Sequence, residues 1–282
     1  VTACETFAVA GSGGKVLSAD VYRPIGNGNH AAVILLHGGA WLEGDRRAMA
    51  PYAEHLVRHG FTAIAAQYRL SPEAIWPAQL IDVRDVFNWA VAAAGALDID
   101  AGHIALQGFS AGGHLALMAA SAALPQYPLT TRPGAVVALF APPELHLPPP
   151  EAGPNPVRIL LGADAAEAEA RSASPIWNIA EGFAPTFLLN GTSDPLVTHE
   201  DALALFARFT QAGVPVDLQL FQGQTHEFAE LPRMLPTVQA SIAAFLDRAM
   251  VDPAGYEADN LRLNKFMNPD FMRALAPAEA AS

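Results

Sequence analysis

Two hydrophobic periods alternate along the chain. Short runs at 31–36, 62–67, 103–107, 135–141, 186–190 and 216–221 are five to seven residues long and almost continuously apolar. Runs of this kind predict parallel strands covered on both faces. Longer segments with a helical period lie between them. Residues 48–59 set Met49, Tyr52, Leu56 and His59 on one side. Residues 76–94 place Pro77 near the first turn, where a missing N–H costs nothing. Segments 111–124, 199–211 and 235–250 complete the helical set. The alternation predicts an α/β fold, a mostly parallel central sheet with helices on both faces, wound in one domain. Ahead of it, 6–9 and 16–22 read as a hairpin joined by Gly11-Ser12-Gly13-Gly14, two antiparallel strands at one sheet edge.

Two regions break the rhythm. Residues 142–182 are proline-rich at Pro148-Pro149-Pro150 and then rich in alanine and acids. A connection this long between strands is usually functional when it is ordered. Because it follows a parallel strand, it falls at the carboxyl edge of the sheet, where sites gather in open α/β folds. It is expected to form a partial lid. The tail, 251–282, holds Leu261, Leu263, Phe266, Met267, Phe271, Met272 and Leu275. That is too many apolar side chains for a solvated tail, so it is expected to pack on the core or on a neighbouring subunit. The organisation expected is a catalytic domain over 1–250 and an extension over 251–282, with a homodimer left open by the tail.

Composition narrows the choice of partners. With 51% hydrophobic and 16% charged residues in 282, the chain can bury a large core. The net charge of −12 argues against nucleic acid and anionic membranes, which need clustered Lys and Arg. No apolar run reaches the ~18 residues of a membrane span. The single cysteine, Cys4, allows no internal disulfide. The first residue is Val, and no signal-peptide pattern is found. The expectation is a cytoplasmic protein, with a processed secreted form left open.

Candidate chemistry concentrates at the ends of the predicted strands. Gly108-Phe109-Ser110-Ala111-Gly112, followed by Gly113, joins the strand at 103–107 to the helix at 111–124. A serine nucleophile needs this context: a sharp strand-to-helix turn that exposes the hydroxyl, with small neighbours that avoid clashes. His37-Gly38-Gly39-Ala40-Trp41 ends the strand at 31–36. Small residues there let backbone N–H groups approach a developing oxyanion. Gly39, Ala40 and Ala111, the residue after the serine, are the expected donors. Asp194 follows the strand at 186–190 and His226 follows the strand at 216–221, which completes the order Ser, acid, His. Ser110, Asp194 and His226 are the expected catalytic residues. Trp41, Phe109 and His146 are expected to touch substrate. His37 reads as a structural histidine of the turn, and Asp164 and Asp217 are less well placed than Asp194. No H-E-x-x-H, cysteine cluster or Walker-type loop occurs, so neither a metal nor an organic cofactor is expected.

Together with Gln67-Tyr68-Arg69-Leu70-Ser71-Pro72-Glu73, these motifs resemble the α/β-hydrolase esterases around the hormone-sensitive lipase group. The resemblance covers roughly residues 15–248. It departs from that group's usual pattern at Ala40, where a third glycine is common, and at Phe109, where an aspartate is. In both respects the chain is closer to a neighbouring branch that includes acetyl xylan and feruloyl esterase-like enzymes, general carboxylesterases and kynurenine formamidases. The resemblance implies a serine carboxylesterase acting on small-molecule esters; short or medium acyl groups are expected because the sequence shows no large hydrophobic lid helix. A formamide hydrolase of the kynurenine formamidase type stays open, as does a non-catalytic binding protein of the same fold. The resemblance also implies that Arg69, Asp82 and Asp85 are structural, with an ion pair among them.

Overall fold

A computed structural model describes residues 4–149, 153 and 155–275. Pro150 of the expected lid and the end of the tail, 276–282, lie outside it. Eight strands form one sheet: β1 (Cys4–Ala10), β2 (Val16–Tyr22), β3 (Ala32–Leu36), β4 (Thr62–Ala66), β5 (Ile104–Phe109), β6 (Val136–Leu139), β7 (Thr186–Gly191) and β8 (Val216–Phe221). Their order is β1-β2-β4-β3-β5-β6-β7-β8. The N-terminal hairpin is antiparallel and joins β4 at one edge, also antiparallel. From β4 to β8 every pairing is parallel. This is the α/β-hydrolase arrangement.

The near-continuous apolarity of the central strands has a physical reason. In β3, Ala32, Ile34 and Leu36 face one layer of helices, while Val33 and Leu35 face the other. The first layer contains α2 (Ala78–Ala92), α4 (Ala111–Ala120) and α7 (His199–Gln211). The second contains α1 (Ala50–Arg58) and α8 (Leu235–Leu246). β8, at the free edge, is only half-buried.

Several boundaries move from those expected. Tyr52 and Leu56 of α1, and Met49 just before it, point inward, but His59 is exposed; Ala53 and Val57 complete the buried stripe. The helix expected over 111–124 stops at Ala120, and the one expected over 235–250 gives way to a π-turn at Asp247–Val251. The Arg69 guanidinium pairs with buried Asp82 at 2.7 Å. Asp85 stays out of that pair and accepts the Ser12 N–H at 2.6 Å instead.

The 142–182 excursion contains α5 (Pro156–Leu161) and α6 (Glu167–Ser172). It is tied to the body by Trp76 N–H donating to Leu160 O at 2.7 Å and by His114 Nε2 on Ala173 O at 2.7 Å. In the tail, α9 (Pro253–Leu263) and α10 (Pro269–Leu275) follow the π-turn. Leu261, Leu263, Phe266, Met267 and Met272 are exposed, so these side chains do not pack on the core of their own chain. Among the described residues no helix is long and apolar enough to cross a membrane.

Candidate active site

Ser110 stands between β5 and α4 with φ +52° and ψ −116°. A side chain at positive φ is costly and persists only where its surroundings over-determine it. Here close backbone approach does so. A Cβ at Gly112 would meet Leu36 O at 2.2 Å, and one at Gly108 would meet Gly112 O at 2.0 Å. Only glycine lets the helix start so near the end of β3 and fold back on β5. The glycines that flank the serine are therefore requirements of the turn.

The other two residues arrive from neighbouring strand ends. Asp194 follows β7 and His226 follows β8, and the two loops are stitched together. Ser193 N–H donates to Gln224 O at 2.9 Å, and Gly223 N–H donates to Thr192 Oγ1 at 2.9 Å. The Asp194 side chain is buried. Its Oδ1 accepts from Leu196 N–H at 2.9 Å and Val197 N–H at 3.0 Å. Its Oδ2 lies 2.7 Å from His226 Nδ1, and His226 Nε2 lies 2.9 Å from Ser110 Oγ. With the carboxylate at Nδ1, the imidazole carries its proton there and offers Nε2 as the acceptor for the serine O–H. Phe140, at the end of β6, packs its ring 4.8 Å from the imidazole and 6.3 Å from Phe109. It forms an apolar wall that limits where the ring can turn. Sequence reasoning missed Phe140, although its place at the end of a strand beside the serine strand was a signal for it.

The turn after β3 runs against this group. A Cβ at Gly38 would sit 3.2 Å from Phe109 O and 3.5 Å from Ser110 Cβ. Gly39 has φ +110°, and Leu42 N–H and Glu43 N–H donate to its carbonyl at 2.9 and 3.1 Å. The N–H of Ala111 opens α4, where the first amides have no partner within the helix. His37 holds the turn from below: its Nδ1 lies 2.7 Å from Gly38 O, and Tyr68 O–H donates to His37 O at 2.8 Å. Burial pushes the His37 pKa down, which keeps it neutral.

Two expected substrate contacts turn inward. Trp41 is 4% exposed, and its indole N–H donates to His114 Nδ1 at 3.3 Å. Phe109 is 1% exposed and packs 4.3 Å from Tyr52. The period of β5 explains the second case: Phe109 shares its face with Ala105 and Gln107, toward α1 and α8. Neither side chain offers surface to a substrate. The His146 side chain is 80% exposed, with Nε2 4.0 Å from the Glu144 carboxylate, and it stands outside the hydrogen-bonded group. Asp164 is exposed, and Asp217 pairs with Arg248.

The sequence matches the BD-FAE family over residues 19–209, about two-thirds of the chain. It is 29% identical over 235 residues to an ethyl acetate hydrolase of Pseudomonas putida, covering 77% of this chain and 73% of that protein. It is 28% identical over 248 residues to the esterase LipU of Mycobacterium tuberculosis, covering 80% of each. Among solved structures, a hyperthermophilic esterase from Pyrobaculum calidifontis superposes with a TM-score of 0.72 at 26% identity, over 86% of this chain and 85% of that one.

Proposed function

The chain belongs to the BD-FAE family and is a carboxylic ester hydrolase of the α/β-hydrolase fold; we propose that Ser110 is its nucleophile, His226 its general base and acid, and Asp194 the carboxylate that orients the imidazole. The observation that carries this reading is the unbroken line from Asp194 Oδ2 through both nitrogens of His226 to Ser110 Oγ, with links of 2.7 and 2.9 Å.

In this reading Ser110 Oγ attacks the ester carbonyl carbon while its proton passes to His226 Nε2. Asp194 stabilises the imidazolium through the Nδ1–H bond. Negative charge on the former carbonyl oxygen is met by the N–H groups of Gly39, Ala40 and Ala111. Such preorganised donors act only where charge develops, and one of them is typically worth ~10²–10³ in rate. The tetrahedral intermediate collapses, the C–O bond to the alcohol breaks, and His226 returns the proton to the leaving oxygen. Water then attacks the acyl-enzyme by the same route and releases the acid.

The substrates proposed are small-molecule esters with short or medium acyl groups, a reading supported by the ethyl acetate hydrolase relative. The test is turnover of aryl esters of increasing acyl length, with N-formylkynurenine alongside and Ser110→Ala as the blank. Expected is serine-dependent hydrolysis that is fastest for acetate to butyrate esters. Turnover that persists in Ser110→Ala would remove the nucleophile assignment. Faster turnover of the formamide than of any ester would move the substrate class to amides.

A further inference from the structure

Three consecutive residues of the turn after β3 stand at positive φ: Gly39 at +110°, Ala40 at +52° and Trp41 at +63°. Glycine adopts this region freely; alanine and tryptophan do so only when held. Backbone bonds supply part of the hold, including Ser71 N–H donating to Trp41 O at 2.9 Å. The Trp41 side chain supplies the rest. Its buried indole N–H donates to His114 Nδ1 at 3.3 Å, and the two rings meet edge to face at 5.1 Å.

His114 is the centre of this arrangement. It is fully buried and stands one helical turn after Ser110 on α4. Its Nε2–H donates to Ala173 O at 2.7 Å, in the excursion between β6 and β7. That bond fixes the tautomer and leaves Nδ1 free to accept from the indole. One imidazole therefore joins the glycine turn, the helix of the serine and the excursion. Nothing in the Ser110–His226–Asp194 line requires it.

We propose that His114 and Trp41 are positioning residues, a clasp that aims the Gly39 and Ala40 N–H groups at the oxyanion by anchoring the indole beside the nucleophile helix. The proposal rests on the oxyanion reading of those two amides. It gives the excursion a part in catalysis through the Ala173 carbonyl, which sets the tautomer on which the anchor depends.

The two nitrogens of His114 can be tested separately. An asparagine amide reaches the place of Nδ1 and keeps an acceptor for the indole. A glutamine amide reaches the place of Nε2 and keeps a donor for Ala173 O. His114→Gln and Trp41→Phe are expected to lower kcat on an aryl acetate by roughly 10- to 100-fold, short of losing a whole donor, with KM within about twofold. His114→Asn is expected to keep most of kcat. The double variant H114Q/W41F is expected to be little worse than either single one, since both remove the same bond. Amide hydrogen exchange over residues 37–43 is expected to quicken in His114→Gln and Trp41→Phe but not in His114→Asn.

Equal kcat losses in the Asn and Gln variants, additive losses in the double variant, or unchanged exchange over 37–43 would each overturn the clasp. Trp41→Phe leaves His114 in place and decides the matter if the His114 variants do not fold. The oxyanion reading fails separately. A phosphonate adduct of Ser110 with its oxygen turned away from Gly39 and Ala40 would remove that reading, and the exchange measurement would still decide whether the clasp holds the turn.

Discussion

Asp194 shows how much one residue's surroundings decide. Its Oδ1 is committed to the Leu196 and Val197 N–H groups, so only Oδ2 faces His226. An asparagine there must keep its oxygen toward the two amides and present its NH₂ to Nδ1. The imidazole then takes the other tautomer, with a proton at Nε2 where the serine needs an acceptor. Asp194→Asn is therefore expected to cut kcat by about 10⁴, the scale of the same change in the serine protease template, with the urea midpoint nearly unchanged. Single-turnover acylation kinetics check this, and near-full activity would reassign the acid. The convergence of Ser110, Asp194 and His226 was legible because each follows an apolar run within about five residues, and parallel strands end at one edge. Phe109 was expected to touch substrate, yet its inward orientation could have been read by counting in twos along its strand. That of Trp41 could not, because its indole answers to His114, 73 residues away. The positive φ of Ala40 and Trp41 was equally hidden, since neither residue type advertises it.

At the scale of elements, α4 explains why one helix ended earlier than its sequence suggested. Its last carbonyls are collected by Arg84 of α2. The guanidinium donates to the carbonyls of Met118, Ala119, Ser121, Leu124 and Tyr127, at 2.8–3.3 Å. These bonds hold 121–127 in a turn where the apolar pattern alone would continue the helix. Burial pushes the Arg84 pKa down to about 10, so the group stays charged at neutral pH, facing the negative end of the α4 dipole. Arg84→Met keeps much of the volume but leaves those carbonyls without donors. It is expected to lower unfolding free energy by about 3–5 kcal/mol, several times a typical net hydrogen bond. Lysine at 84 should recover only part, because a single ammonium cannot span five acceptors. Urea unfolding at pH 7 reads the effect, and an unchanged midpoint would show that water replaces Arg84 freely. The sequence signalled the strands well because both faces are covered, whereas this cap joins segments 34 to 43 residues apart and leaves no local mark.

For the molecule as a whole, the α/β class, the parallel sheet and the antiparallel edge hairpin followed from periodicity, because burial on two faces, on one face or on a stripe leaves different patterns. What periodicity could not reach was how distant segments share buried polar groups, and these set the response to acid. His114 is buried as a neutral donor and acceptor, and burial pushes its pKa from 6.5 down to about 4; His37 is lowered as well. In the unfolded chain both take up protons near pH 6.5; in the folded chain burial delays His114 to about pH 4 and shifts His37 in the same direction. Between pH 6.5 and about 4 the unfolded state binds more protons, so stability falls as the pH falls, by about 3 kcal/mol for His114 alone at the bottom of that window. Carboxylate titration acts in the same direction at lower pH, and the net charge of −12 shrinks throughout, so the wild-type curve alone cannot isolate the histidine. His114→Asn can, since it keeps the indole acceptor and removes the titration. Urea unfolding at pH 7 and pH 4.5 is expected to show wild type losing about 2–3 kcal/mol more than the variant over that interval. Equal losses would mean that His114 takes its proton in the folded state, which neither its bond to Trp41 nor its burial between the turn, the helix and the excursion allows.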